Sequence, residues 1–304
     1  MRKRVTVKRV NLKELYKRLF VKLDKIYEKI KNKKRGRPRK YKESLIYFAF
    51  ALKIARNLSY RDLEHQLKEL NLFDKVPDFS SMFYRFKHLN ELIIGYFIKK
   101  IASLIKNFQK IKYSIIDATG FGFDDSFNLK MLRGKELRKV KSHIRLEAIV
   151  CVSENSYTFI NGFYLDKAYS NENKMLFKLL ENYSFSSKFV LADALYSTNK
   201  LAKYLIDKNL IPVIPTKDIL HQKIKNPYRL KLKEYYEKYK SVYKKRNLIE
   251  NTFAKIKIPF GDRENTKNIS LAKKFILMKI LLLLNFATFL AIIFILLLIF
   301  QTIF

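Results

Sequence analysis

The sequence predicts an α/β protein, a mixed sheet flanked by helices and preceded by an all-α, helix-turn-helix-like segment. Three observations carry that reading. Through the first ninety or so positions apolar residues recur at every third or fourth place, the period of an amphipathic helix. From Tyr113 the period shortens to runs rich in Ile, Val, Phe and Tyr, the residues that favour strands. Those runs then alternate with helical patterns, as a layered α/β chain requires.

A length of 304 residues with 48% hydrophobic side chains is ample for a buried core. Lys and Arg total 63 against 27 Asp and Glu, a formal net charge of +36. So large an excess opposes compaction through self-repulsion, and a polyanion that neutralises it is the natural partner. Nucleic acid is the first candidate and an anionic membrane surface the second. The single Cys151 excludes an intramolecular disulfide, and with four His it cannot build a Cys/His zinc finger. The N-terminus is basic and carries no apolar signal core, so an intracellular, cytoplasmic chain is expected. No glycine-rich phosphate loop occurs, and nucleotide hydrolysis is unsupported.

Residues 1–40 hold 18 Lys and Arg against three acids. Leu12, Leu15, Leu19, Leu23, Ile26 and Ile30 give them the stripe of a basic amphipathic helix. The segment closes on Arg35-Gly36-Arg37-Pro38-Arg39-Lys40, which reads either as an AT-hook-like insert for a narrow minor groove or as a charged linker. Three helical patterns follow. Ser44 to Asn57 is apolar on one face, Ser59 caps a second helix to about Leu70 with Asp62 three residues on, and Ser80 caps a third through Leu89. A helix-turn-helix reader would turn Tyr84, Arg85, Lys87 and His88 of the third helix toward DNA; a plain bundle has the same periodicity.

Strands are expected at 113–117 extending towards Phe123, and at 143–153, 157–164, 189–193 and 210–214, with helices at 172–182 and 198–208. A Lys- and Tyr-rich stretch between Pro215 and Ser241 is helical around Leu230 to Tyr239. The last 25 residues, Ile280 to Phe304, carry no charge. That is long enough to span a bilayer with Lys273, Lys274 and Lys279 as flanking cations, and equally the composition of a buried core helix.

Tyr243, Arg246, Glu250 and Lys257 follow the spacing Y-x2-R-x3-E-x6-K. On one α-helix at roughly 100° per residue they fall within an arc of about 60°. Pro259 and Gly261 end that helix just beyond Lys257. Read alone, Arg246 and Glu250 are a surface pair contributing a few tenths of a kcal/mol. Upstream, Tyr113-Ser114-Ile115-Ile116-Asp117 and Phe189-Val190-Leu191-Ala192-Asp193 are short apolar runs closing on Asp, which read singly as strand-end turn residues.

Together these features resemble the DDE-type insertion-sequence transposases that carry a YREK signature. The resemblance extends to Gly36-Arg37-Pro38-Arg39-Lys40-Tyr41 and Ser59-Tyr60-Arg61-Asp62-Leu63 in the N-terminal part. It implies an RNase H-like catalytic domain over 113–265, a helical DNA-binding domain over 41–112, a basic arm over 1–40 and an apolar C-terminal helix over 266–304 packed on the sheet, which argues against membrane insertion. Asp117, Asp193 and Glu250 would be catalytic and hold two Mg²⁺ (or Mn²⁺) ions, hard cations suited to carboxylate oxygens. Tyr243, Arg246 and Lys257 would hold DNA, with Arg35 and Arg37 of the arm. Asp124 and Asp125 are competing carboxylates that the family pattern does not select, and His143 is structural. The implied activity is metal-dependent cleavage of the ends of the element and joining of the 3′-hydroxyls to target DNA. Double-stranded DNA would be the partner, a homodimer the acting form, and the nucleoid the location. A basic architectural DNA protein and an RNase H-like nuclease without strand transfer are the alternatives.

Overall fold

The computed structural model describes residues 24, 40–123, 128–133, 136–141, 143–168, 170–216 and 225–284. The basic arm, with Arg35 and Arg37, the carboxylates Asp124 and Asp125, and residues 285–304 lie outside them.

Four helices open the described chain: α1 (Glu43–Arg56), α2 (Tyr60–Glu69), α3 (Phe79–Lys87) and α4 (Glu91–Phe108). Where the sequence suggested one apolar face for α1, residues 43–52 are all buried. Its rings are covered from two sides, Phe50 meeting Phe86 of α3 at 4.8 Å and Phe275 near the C-terminus at 5.0 Å. Lys42 offers no cap, and the Asp24 carboxylate serves instead, accepting from Ser44 N at 2.9 Å and Ser44 Oγ at 2.6 Å. Ser59 and Asp62 form the reciprocal capping box at the start of α2. The α3 cap is Asp78 and not Ser80, because the Asp78 carboxylate accepts from Ser81 N at 2.8 Å and outcompetes a hydroxyl. Arg85 pairs with the buried Glu43, so it is turned into the body and away from a DNA-reading face. The 18-residue α4 escaped the three-helix reading, although Asn90 caps it and Ile94, Ile98, Ile101 and Ile105 form its stripe.

The sheet is built from β1 (Ile111–Phe123), β4 (Ile144–Ser153), β5 (Thr158–Lys167), β6 (Phe189–Leu191) and β7 (Ile211–Val213), in the order β5-β4-β1-β6-β7. β1, β4 and β5 are antiparallel, while β6 and β7 run parallel to β1. A separate antiparallel hairpin, β2 (Asn128–Arg133) with β3 (Glu136–Lys141), interrupts the path from β1 to β4. Helices α5 (Glu172–Leu180) and α6 (Asn199–Asp207) alternate with the last strands, and α7 (Pro227–Lys238) and the short α8 (Lys240–Tyr243) follow β7.

Alternation along the central strands sends successive side chains to opposite faces. Ile116, Val190 and Ala192 pack with α5, α6 and Leu232 of α7 on one face. Ile115, Leu191, Ala148 and Val150 face the other way, into a core shared with all four N-terminal helices. The helical part and the sheet therefore bury their apolar surfaces in one continuous cluster.

The expected single helix over 243–257 is interrupted. Lys244–Asn247 is a 3₁₀ turn, and α9 runs from Leu248 to Phe260. Pro259 sits inside the last turn of α9, where its missing N–H forfeits one bond, and the chain leaves the helix at Gly261, whose φ of +80° a side chain would strain. A two-residue strand, β8 (Arg263–Glu264), then pairs parallel to the end of β1. Residues 269–284 form α10, capped by Asn268 and buried along most of its length. Lys274 reaches Lys87 O at 2.6 Å, and Lys279 reaches Gly261 O and pairs with Glu264, all inside the protein. Among the described residues no helix is long and apolar enough to cross a membrane.

Candidate active site

Asp117 and Asp193 are brought together by strand register. β1 and β6 pair in parallel with Ile115 opposite Leu191, so each aspartate lies two residues beyond the last paired position, on the same face of the sheet. β4 covers one edge of β1 as far as Phe121. On the other edge β6 stops at Leu191 opposite Ile115, while β8 pairs with β1 at Gly122 and Phe123. Among the described residues no strand pairs with β1 on the β6 side from Ile116 to Phe121, so the sheet opens there beside Asp117.

Each aspartate spends one oxygen on the backbone. Asp117 Oδ1 accepts from Ala118 N at 2.8 Å. Asp193 Oδ1 accepts from Leu195 N at 2.7 Å, capping a 3₁₀ turn over Ala194–Tyr196. Both Oδ2 atoms face Arg246, whose Nη2 stands 2.8 Å from Asp117 and 4.0 Å from Asp193. Burial raises the Asp117 pKa above the ordinary carboxylate value, and the negative charge of Asp193 adds to that. The Ala118 N–H bond and the Arg246 guanidinium oppose it.

The 3₁₀ turn explains how Arg246 arrives there. At three residues per turn, side chains three apart eclipse, so Tyr243 and Arg246 project the same way. Tyr243 packs edge-on against Tyr236 at 5.2 Å. Burial raises its pKa, and the charges of Arg246, Asp193 and Asp117 also act on it. Further along, Lys257 Nζ donates to Thr119 Oγ1 at 2.7 Å and lies over the Phe121 ring at 5.1 Å. Its pKa is lowered, chiefly by burial. Thr119 is two residues beyond Asp117 and therefore on the same face of β1.

Of the predicted residues, Asp117, Asp193, Tyr243 and Arg246 meet, and Lys257 reaches the same face of β1 through Thr119. Glu250 is exposed on the flank of α9, whose inner face is Ile249, Thr252, Phe253 and Ile256. Among the described residues no three His, Cys, Asp or Glu side chains form a group that could hold a metal ion, so Glu250 does not join the two aspartates in this arrangement. The fit to a divalent cation is thus carried by the paired aspartates: two adjacent hard oxygens, with a guanidinium where such an ion would balance them. Sequence reasoning gave no role to Thr119, Glu147 or Tyr196. The period-two relation of Thr119 to Asp117 was the available signal for the first.

The mixed sheet of this order, flanked by helices and preceded by a helical N-terminal region, is an α/β fold that sets Asp117, midway along β1, beside Asp193, just past β6. A model of the transposase DDE domain matches residues 109–286, and the chain belongs to that family. An uncharacterized protein of Aquifex aeolicus (strain VF5) is 37% identical over 275 residues, covering 88% of this chain and 85% of that one. Among solved structures, the piggyBac transposase synaptic complex with hairpin DNA aligns with 90% of this chain and 71% of its own, at 10% identity and a TM-score of 0.44.

Proposed function

We propose that this transposase cleaves phosphodiester bonds at the ends of its own insertion sequence and joins the resulting 3′-hydroxyls to target DNA, with Asp117, Asp193 and Glu250 as its catalytic carboxylates. The observation that carries the reading is the parallel register of β1 and β6, which aligns Asp117 and Asp193 on one face with a cationic helix across from them. Family membership supports transposition as the process these groups would serve.

Phosphodiester attack accumulates negative charge on the phosphorus oxygens, and two Mg²⁺ or Mn²⁺ ions bound by the carboxylates would supply the activation of the attacking oxygen and the stabilisation of the leaving one. Asp117 and Asp193 hold the pair of oxygens. Glu250, exposed on α9 between Arg246 and Lys257, both of which reach β1 residues, would supply the third carboxylate by turning toward the pair when metal and DNA bind. Arg246 is placed to grip a backbone phosphate bidentately once released from the aspartates, Lys257 to act as a point charge, and Tyr243 to stack or donate. Arg35 and Arg37 would extend the contact from the N-terminal arm. The net charge of +36 suits double-stranded DNA as the partner, with a homodimer holding two ends and the nucleoid as the location.

The test is end cleavage of duplexes taken from the DNA flanking the reading frame. The full chain with Mg²⁺ or Mn²⁺ should nick at the element boundary and join the nicked strand to a second duplex. Salt-sensitive binding with no metal-dependent nicking would leave an architectural protein, and nicking without joining a nuclease.

A further inference from the structure

We infer that Glu147 and Tyr196 are positioning residues for Asp193, forming a strut beneath the sheet that sets its place relative to Asp117. Glu147 lies on β4 opposite Ala118, whereas Ala148 is opposite Asp117. Alternation therefore puts the Glu147 carboxylate on the face away from the aspartates. There it is fully buried and accepts a 2.7 Å hydrogen bond from the hydroxyl of Tyr196, itself 1% exposed. Tyr196 ends the 3₁₀ turn that Asp193 begins, and its N–H donates to Asp193 O at 3.1 Å. The strut thus runs from β4 under β1 to the turn that follows β6.

A carboxylate at that depth costs several kcal/mol of desolvation unless it is hydrogen-bonded, and it lies on the face of the sheet that otherwise holds the apolar cluster of Ile116, Val190 and Tyr196. What an apolar residue could not do is fix the hydroxyl of Tyr196 by a short, charge-assisted bond. A paired-carboxylate site tolerates errors of only about 0.5 Å, so the gain is in the aim of Asp193.

This inference rests on Asp193 being a metal-holding carboxylate. The test measures Mn²⁺ affinity of the full chain by calorimetry, alongside its melting temperature. Tyr196→Phe, which keeps the ring in the core, should weaken Mn²⁺ binding about tenfold, the usual effect of losing a supporting hydrogen bond. Glu147→Gln retains an acceptor and should stay within about twofold of wild type, while Glu147→Leu should match Tyr196→Phe. Unchanged Mn²⁺ affinity in a folded Tyr196→Phe or Glu147→Leu protein, with only the melting temperature reduced, would overturn the inference. Unchanged affinity in Asp193→Asn would overturn the site itself.

Discussion

Arg246 donates to Asp117 at 2.8 Å, and the same Nη2 atom stands 4.0 Å from Asp193, so a single guanidinium serves two carboxylates, one midway along β1 and one just beyond the end of the adjacent parallel β6. The contact ties the cationic segment before α9 to the middle of the sheet. All three groups are only about one-fifth to one-quarter exposed, so the attraction is less screened than at a surface.

Removing the cation leaves the aspartates to repel each other. Arg246→Gln should destabilise the metal-free protein by about 1 to 3 kcal/mol. Added Mn²⁺ should then raise its melting temperature by more than it raises that of the wild type, because the ion no longer competes with a guanidinium. Equal shifts in the two proteins would show that Arg246 and the metal do not share a position.

Lys257 is held by one hydroxyl. Thr119→Val removes the acceptor while keeping the shape of the side chain, and should cost about 0.5 to 1.5 kcal/mol of stability. If the proposed Lys257–phosphate contact is made, end binding should weaken and its dependence on salt should change, because the cation loses its support. A binding titration at two salt concentrations checks this; an unaltered salt slope would separate Lys257 from the DNA.

Burial in the joint between β8 and α10 pushes the Glu264 carboxyl up to about 7, against the opposing attraction of Lys279. A folded-state pKa above the unfolded one means that the folded protein holds the proton more tightly. The stabilisation is complete below the unfolded value and is lost as pH rises through about 7. Stability should therefore fall between pH 5 and pH 8, and Glu264→Gln should flatten that part of the profile. Thermal melts across the range decide it, and an identical slope in the variant would assign the effect elsewhere.

Phe50 packs on rings from both α3 and α10, so it belongs to the helical part and the C-terminal helix at once. Phe50→Ala should cost about 3 to 5 kcal/mol. With one continuous core the variant should still unfold in a single transition; two resolved transitions would mean that the N-terminal helices fold independently.

The strands, α5 and α6 were legible because runs such as Ser-Ile-Ile-Asp or Val-Leu-Ala-Asp carry their period in a few residues; the end was legible only for β6, since β1 runs on past Asp117 to Phe123, where β4 continues to pair with it. Register then did the rest, since two aspartates at equal distance from paired residues must be neighbours. What was hidden depended on long-range partners. The rotation of Arg85 toward Glu43 and the all-round burial of α1 come from segments far away in sequence. The 3₁₀ break at 244–247 escaped for a related reason: a stripe computed at one constant angle presumes an unbroken helix, and the reach of Arg246 to Asp117 goes with a tighter turn. Glu250 is where the two views part most, aligned by spacing yet exposed and outside the aspartate pair.

That makes Glu250 the sharpest test. Metal-dependent nicking of a duplex that carries the element end should be compared in the wild type, Asp117→Asn, Asp193→Asn and Glu250→Gln, each shown to bind the same duplex. All three variants should bind and none should cut, with losses of at least about a thousandfold, or roughly 4 kcal/mol of transition-state stabilisation. Cutting by Glu250→Gln at the wild-type rate would contradict its catalytic role.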